Sequence, residues 1–195
     1  MSNVFVLLGA GTGNDVAAFK KEYEGDWDIY AWEANPMISG RISKRFPDVS
    51  VINAAAYTED GTIDLYLGKS TNNSSVDGRK INVKETDFHS VPAINFTKWM
   101  QDNFTKEDRI VLVMDIEGAE FAILPKMRES GLIEWLDEFY MEFHGRKLDG
   151  FDMNVEKEHI EYLKDTLGEN VYICGVYQHE KFARLNSEER PRRRS

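Results

Sequence analysis

Short apolar runs alternate with amphipathic stretches along the chain. Residues 4–8 (Val-Phe-Val-Leu-Leu) form a continuous apolar run, suited to a strand covered on both faces, and Gly9 ends it. From Asn14 to about Glu24, the spacing of Val16, Ala17 and Phe19 predicts a helix. Residues 28–32 read as a second strand ending at Glu33. After the Asn35-Pro36 turn, Met37, Ile38, Ile42 and Phe46 keep helical spacing up to Pro47, and residues 49–53 make a third strand. Gly61 divides two extended pieces, the second at residues 62–67. Residues 68–92 are polar, show no clear period and read as a long loop over a binding site. A helix follows over 96–103, then a fourth apolar strand over 109–114. Another helix runs from about Ala119 to Ser130 despite Pro125, and a fifth strand over 138–143 ends at His144. Residues 155–167 are helical in pattern, and 171–176 with 181–185 make a closing pair of strands.

Strands separated by helices predict an α/β chain with a doubly wound, mostly parallel sheet and helices on both faces. In such sheets, ligands bind beyond the carboxyl ends of the strands, near the point where strand order reverses. Gly9, Glu33, Asp115 and His144 each follow a strand, so this rule selects them together.

Composition narrows the class. A chain of 195 residues with 42% hydrophobic residues is a prior for one domain, here residues 1–186, followed by a charged tail over 187–195. The single Cys174 excludes an internal disulfide and a Cys-rich zinc module. No apolar run approaches the length of a membrane span, and the start lacks a signal-peptide pattern, so a soluble cytoplasmic protein is expected. The net charge of −10 argues against nucleic acid as a partner and leaves a neutral small molecule or glycan. Arg190, Arg192, Arg193 and Arg194 read as a solvated end.

The strand ends carry the candidate chemistry. Gly9, Gly11 and Gly13 alternate before a helix N-terminus, which lets a ligand approach the backbone. In the dinucleotide fingerprint the third glycine comes three residues after the second; here that position is Asn14. The shorter spacing suits a nucleoside without a pyrophosphate, such as S-adenosylmethionine. Glu33, 20 residues beyond Gly13, is positioned to accept hydrogen bonds from ribose hydroxyls. Asp115, Glu117 and Glu120 crowd three carboxylates behind a buried strand, which should raise at least one carboxyl pKa. Glu142 and His144 share one side of the fifth strand. His144 is a candidate for proton transfer or substrate binding; a metal role with Asp115 or Glu142 is the lesser reading, and no resident metal is expected.

These residues resemble the FkbM family of S-adenosylmethionine-dependent methyltransferases. Asp115-Ile116-Glu117-Gly118-Ala119-Glu120 is similar to the family's D-V-E-G-A-E block, Glu142-Phe143-His144 to its E-x-H, and Glu33-Ala34-Asn35-Pro36 to its E-P-N-P. The resemblance also takes in the glycine loop, Asn53-Ala54-Ala55-Ala56 and Asp60-Gly61, and runs from about residue 4 to 145. It implies a class I methyltransferase fold: a Rossmann-like, seven-stranded sheet whose last strand is antiparallel. It also implies methyl transfer to an oxygen, often a hydroxyl of a sugar or natural product. Gly9, Gly11 and Gly13 would line the methionine and ribose side, and Glu33 would bind ribose. Asn53 or Ala54 would lie near the adenine, and Asp115 beside the methionine and sulfonium. Glu117, Glu142 and His144 would face the acceptor, with Glu117 or His144 as base. Leu7 stands where the family carries an acid, so Asp15 or Asp115 would hold the methionine amino group. The 68–92 loop, through Ser74 and Ser75, would meet the acceptor. Two other readings stand beside this one: a cofactor-binding module without activity, and an NAD-linked oxidoreductase.

Overall fold

The apolar run near the N-terminus becomes the central strand of the computed structural model, which describes residues 1–68 and 73–174. That strand, β1 (Asn3–Leu8), is followed by α1 (Asn14–Glu22), β2 (Asp28–Trp32), α2 (Pro36–Arg45) and β3 (Ser50–Ile52). After β4 (Ala55–Tyr57), β5 (Gly61–Gly68) and β6 (Val83–Asn95) come α3 (Phe96–Asn103), β7 (Arg109–Met114) and α4 (Glu120–Glu129). The last described elements are β8 (Glu138–Glu142), α5 (Met153–Leu167) and β9 (Val171–Cys174).

Six strands form one sheet in the order β3-β2-β1-β7-β8-β9, and every pairing in it is parallel. Strand order reverses between β1 and β7, so a crevice opens there at the carboxyl ends. Alternation of side chains splits the core. Val4, Val6 and Leu8 pack with Phe96, Met100, Ile123 and Leu124 on one face. Phe5 and Leu7 pack with Val16, Phe19, Ile38 and Ile42 on the other. Both faces are therefore covered by helices, which is why β1 and β7 read as unbroken apolar runs. The expected antiparallel closing strand over 181–185 and the charged tail lie outside the described residues.

The sequence reading needs one correction. Residues 83–92, taken as part of a loop, belong to β6, which pairs antiparallel with β5 and parallel with β4 in a second, three-stranded sheet. Its small core consists of Ala55, Leu65 and Val91, so most of β6 stands in water and carries no apolar alternation. Residues 73–81 do form a connecting segment. The amide of Ile81 donates to the Lys147 carbonyl, and that of Asp149 donates to the Arg79 carbonyl, both at 2.9 Å. Among the described residues no helix is long and apolar enough to cross a membrane.

Register levels the strand ends. Leu8 lies opposite both Trp32 of β2 and Met114 of β7, and Met114 lies opposite Met141 of β8. The residues that follow, Gly9, Glu33, Asp115 and Glu142, thus emerge at one height.

The α1 face rests on Phe19, which is buried and stacks on Phe5 at 3.8 Å and on Tyr23 at 4.3 Å between ring centres. Phe19→Ala should cost about 3–5 kcal/mol through lost contacts and a cavity. Urea denaturation should show a lower midpoint with an unchanged slope.

Candidate active site at the strand ends

The chain leaves β1 through a tight turn. Gly9 has φ of +82°, and a Cβ on it would lie 1.8 Å from the Asp115 carbonyl oxygen, so no other residue fits. The amides of Gly9 and Ala10 both donate to the Trp32 carbonyl, at 3.1 and 2.8 Å, which ties the loop to β2. Glu33 accepts from the Gly11 amide on one oxygen and from the Asn35 amide on the other, both at 2.8 Å. Burial raises the Glu33 pKa against the lowering effect of these two bonds. Asn53 donates through Nδ2 to the carbonyls of Glu33 (2.8 Å) and Ala34 (3.2 Å), so its side chain braces the turn that carries the acid.

Beyond β7 the backbone is strained. Glu117 has φ of +56°, a left-handed conformation that costs on the order of 1–3 kcal/mol in a residue with a Cβ. Two partners hold it. Ser75 Oγ donates to the Glu117 carbonyl at 2.7 Å, and Lys80 Nζ lies 2.5 Å from Glu117 Oε2. Lys80 is fully buried, and its ammonium also donates to the Asn73 carbonyl at 2.8 Å. Burial lowers the Lys80 pKa while Glu117 pulls it up. Lys147 adds a second cation, 3.7 Å from both Glu117 Oε2 and Glu142 Oε1.

Glu120 is buried and staples β8 to the β7–α4 turn. Its oxygens accept from the amides of Gly118 and His144, each at 2.7 Å, and Oε1 lies 3.2 Å from His144 Nδ1. The other ring nitrogen, Nε2, faces Asp115 Oδ1, Glu117 Oε2 and Glu142 Oε1, each at 3.4 Å. Burial alone would lower the His144 pKa, but the carboxylates, Glu120 and Glu142 foremost, push it up to about 10. Burial, then the charge of Glu142, pushes Asp115 up to about 7, and His144 in turn holds Glu142 below the usual carboxylate range. One ligand atom from each of Asp115, Glu117 and His144 lies within 4.8 Å of the others, a spacing that one metal ion can span.

A cleft of about 320 Å³ joins these parts. Gly9, Gly11, Asp15, Glu33, Ala54, Asp115, Glu117 and Glu142 line it, with Ala55, Ala56, Leu65 and Val76 as an apolar wall. Three expected site residues do not line it. Gly13 packs beneath the Phe46 ring, Asn53 serves the Glu33 turn, and His144 is covered by the carboxylates above it. His144, expected as a proton acceptor, does not line the cleft and is fully buried beneath these carboxylates. Ser74 and Ser75 do line the cleft, although the Ser75 hydroxyl is committed to Glu117. Sequence reasoning missed Lys80 and Lys147. Lys80 lies in a polar stretch whose course only the folded chain reveals.

Two substitutions test this frame. Gly9→Ala should lower the urea midpoint sharply. Gly11→Ala, at φ of +51° with nothing within 4 Å of the added Cβ, should cost only about 1–2 kcal/mol. Lys80→Met should cost about 3–5 kcal/mol by removing the buried cation in contact with the Glu117 carboxylate and leaving only the half-exposed Lys147 at 3.7 Å. Adding Glu117→Gln should restore much of that loss in a double-mutant cycle.

The family model of the FkbM methyltransferase domain matches residues 8–174. A search among curated protein sequences finds no match. Among solved structures, the fold is similar to the crystal structure of methyltransferase FkbM from Methylobacillus flagellatus KT, with a TM-score of 0.50 and 13% sequence identity. The match covers 86% of this chain and 38% of that one, so the chain spans well under half the length of the protein it resembles. The family match runs from the last residue of β1 to the end of β9 and takes in every strand end described above. The chain belongs to the FkbM methyltransferase family.

Proposed function

We propose that this protein transfers a methyl group from S-adenosylmethionine to a hydroxyl of a sugar, glycan or small-molecule acceptor. One observation carries the reading: a single cleft in which the glycine loop, Glu33 and the open carboxylates of Asp115 and Glu142 stand side by side. The residues suit the cofactor. Each Glu33 oxygen accepts one backbone bond and keeps further lone-pair capacity for ribose hydroxyls. Ala54, Ala55 and Leu65 offer an apolar wall for a purine. Leu7 is buried in the core, so Asp15 or Asp115, both lining the cleft, would hold the methionine ammonium.

When bound, S-adenosylmethionine would supply a sulfonium methyl carbon open to in-line attack by an oxygen, the O–C bond forming as the C–S bond breaks and S-adenosylhomocysteine leaves. The chain's own contribution is alignment and handling of one proton. That proton would pass to Asp115 or Glu142, whose side chains are 38% and 36% exposed. Glu117 is 13% exposed and held by Lys80, so it acts as a wall and an anchor. His144, beneath all three, sets their positions. The surplus of acidic residues disfavours polyanionic acceptors and leaves a neutral hydroxyl compound as the fitting class.

Calorimetry with S-adenosylmethionine, S-adenosylhomocysteine and NAD tests the reading. The first two should bind and NAD should not. Glu33→Ala should weaken binding at least tenfold, about 1.4 kcal/mol, with its urea midpoint measured alongside. A panel of polyhydroxylated acceptors should then release S-adenosylhomocysteine. Binding of NAD alone would overturn the proposal, and cofactor binding with no turnover on any acceptor would favour a non-catalytic module.

A further inference from the structure

Among the described residues, three buried side-chain atoms of one cluster, Asp115 Oδ1, Glu117 Oε2 and His144 Nε2, make no well-formed hydrogen bond, and of the three Glu117 Oε2 alone has a cation in contact, the Lys80 ammonium at 2.5 Å. Native folds rarely leave several such atoms converging on one point unless an ion or water joins them. The Nε2 atom lies 3.4 Å from Asp115 Oδ1, Glu117 Oε2 and Glu142 Oε1 alike. That is long for an N–H···O bond, and one N–H cannot aim at three oxygens at once. It is, however, the separation between ligands on a common ion, since atoms bonded at about 2.0–2.1 Å to a tetrahedral metal lie about 3.3–3.4 Å apart.

The far side of the ring is arranged to match. Glu120 Oε1 lies 3.2 Å from His144 Nδ1, and Glu120 is itself fixed by two backbone amides at 2.7 Å. A carboxylate behind a histidine fixes its tautomer and turns the opposite nitrogen's lone pair toward a metal. Charge agrees as well. With a neutral imidazole, the carboxylates of Asp115, Glu117, Glu120 and Glu142 set against Lys80 and Lys147 leave two negative charges, which one divalent ion balances.

We propose that Asp115, Glu117 and His144 bind one divalent metal ion of the Mn2+ or Zn2+ type at the acidic end of the cleft, with Glu142 beside it. An imidazole among carboxylates suits these ions better than Ca2+, which takes oxygen ligands. The ion would replace the proton on His144. It would also favour the deprotonated form of a hydroxyl arriving next to it, a role that rests on the methyltransferase reading, whereas binding itself does not.

The full chain, stripped with chelator and free of cofactor and acceptor, is titrated with Mn2+ and followed by electron paramagnetic resonance. One Mn2+ per chain should leave the free-ion signal, and pulsed measurements should detect a directly bound imidazole nitrogen. Asp115→Asn and Glu117→Gln should each weaken binding tenfold or more, and His144→Gln should remove the nitrogen coupling. Asp102→Asn, on the exposed end of α3, should bind as the parent does. Urea midpoints check that each variant folds; should His144→Gln not fold, the two carboxylate variants decide. No stoichiometric binding at millimolar Mn2+, or binding without nitrogen coupling and indifferent to both carboxylate variants, would overturn the proposal. Calorimetry of the metal-free chain with S-adenosylmethionine, run separately, tells this failure from a failure of the cofactor reading.

Discussion

The close approach of Gly9 to the Asp115 carbonyl is the constraint on which the site depends. It occurs where strand order reverses, between β1 and β7, and it removes the side chain that would hold the two strand ends apart. The Asp115 amide donates to the Leu8 carbonyl at 3.0 Å, so the ladder continues one residue past the end of β7. The glycine loop and the carboxylate turn are thereby fixed to each other by backbone. Glu33 joins them because the loop amides bond to the end of β2. A ligand in this cleft meets four strand ends, those of β1, β2, β7 and β8, whose relative heights are set by sheet register.

On that rigid base lies an electrostatic cluster in which no charge stands alone. Glu120, Glu117, Asp115 and Glu142 surround one imidazole, and Lys80 and Lys147 close the cluster from the 73–81 segment and the turn after β8. Burying one carboxylate is costly, so several are retained only where cations and amides meet them. The left-handed Glu117 belongs to the same economy. Its backbone is held by Ser75 and its side chain by Lys80, both from a segment far away in sequence. The three-stranded sheet is what delivers that segment, since β5 and β6 anchor its two ends.

Much of this was legible in the residues. The runs at 96–103 and 109–114 are helix and strand with those bounds, because each element has a covered face that a short window of sequence reveals. Gly9, Glu33, Asp115 and Glu142 follow from the rule that ligands gather at strand ends, and all four line the cleft. The β6 strand was not legible. Its stability comes from cross-strand bonds in a sheet mostly open to water, so no apolar period marks it. Asn53 and Gly13 lie at the expected strand and loop, yet one braces a turn and the other packs under Phe46.

Sequence by itself determined the α/β alternation, the strand-end residues and the family, because these depend on local period and on motifs a few residues long. Only the tertiary structure decided which atoms face the cleft. It buried Lys80 against Glu117, drew His144 beneath three carboxylates and left Asp115 and Glu142 open. The physical reason is that charge pairing and burial act between atoms near in space. Lys80 and Glu117, or Asp115 and His144, become neighbours only after the crossovers have placed β7 and β8 side by side and β5 with β6 has carried the 73–81 segment across their ends.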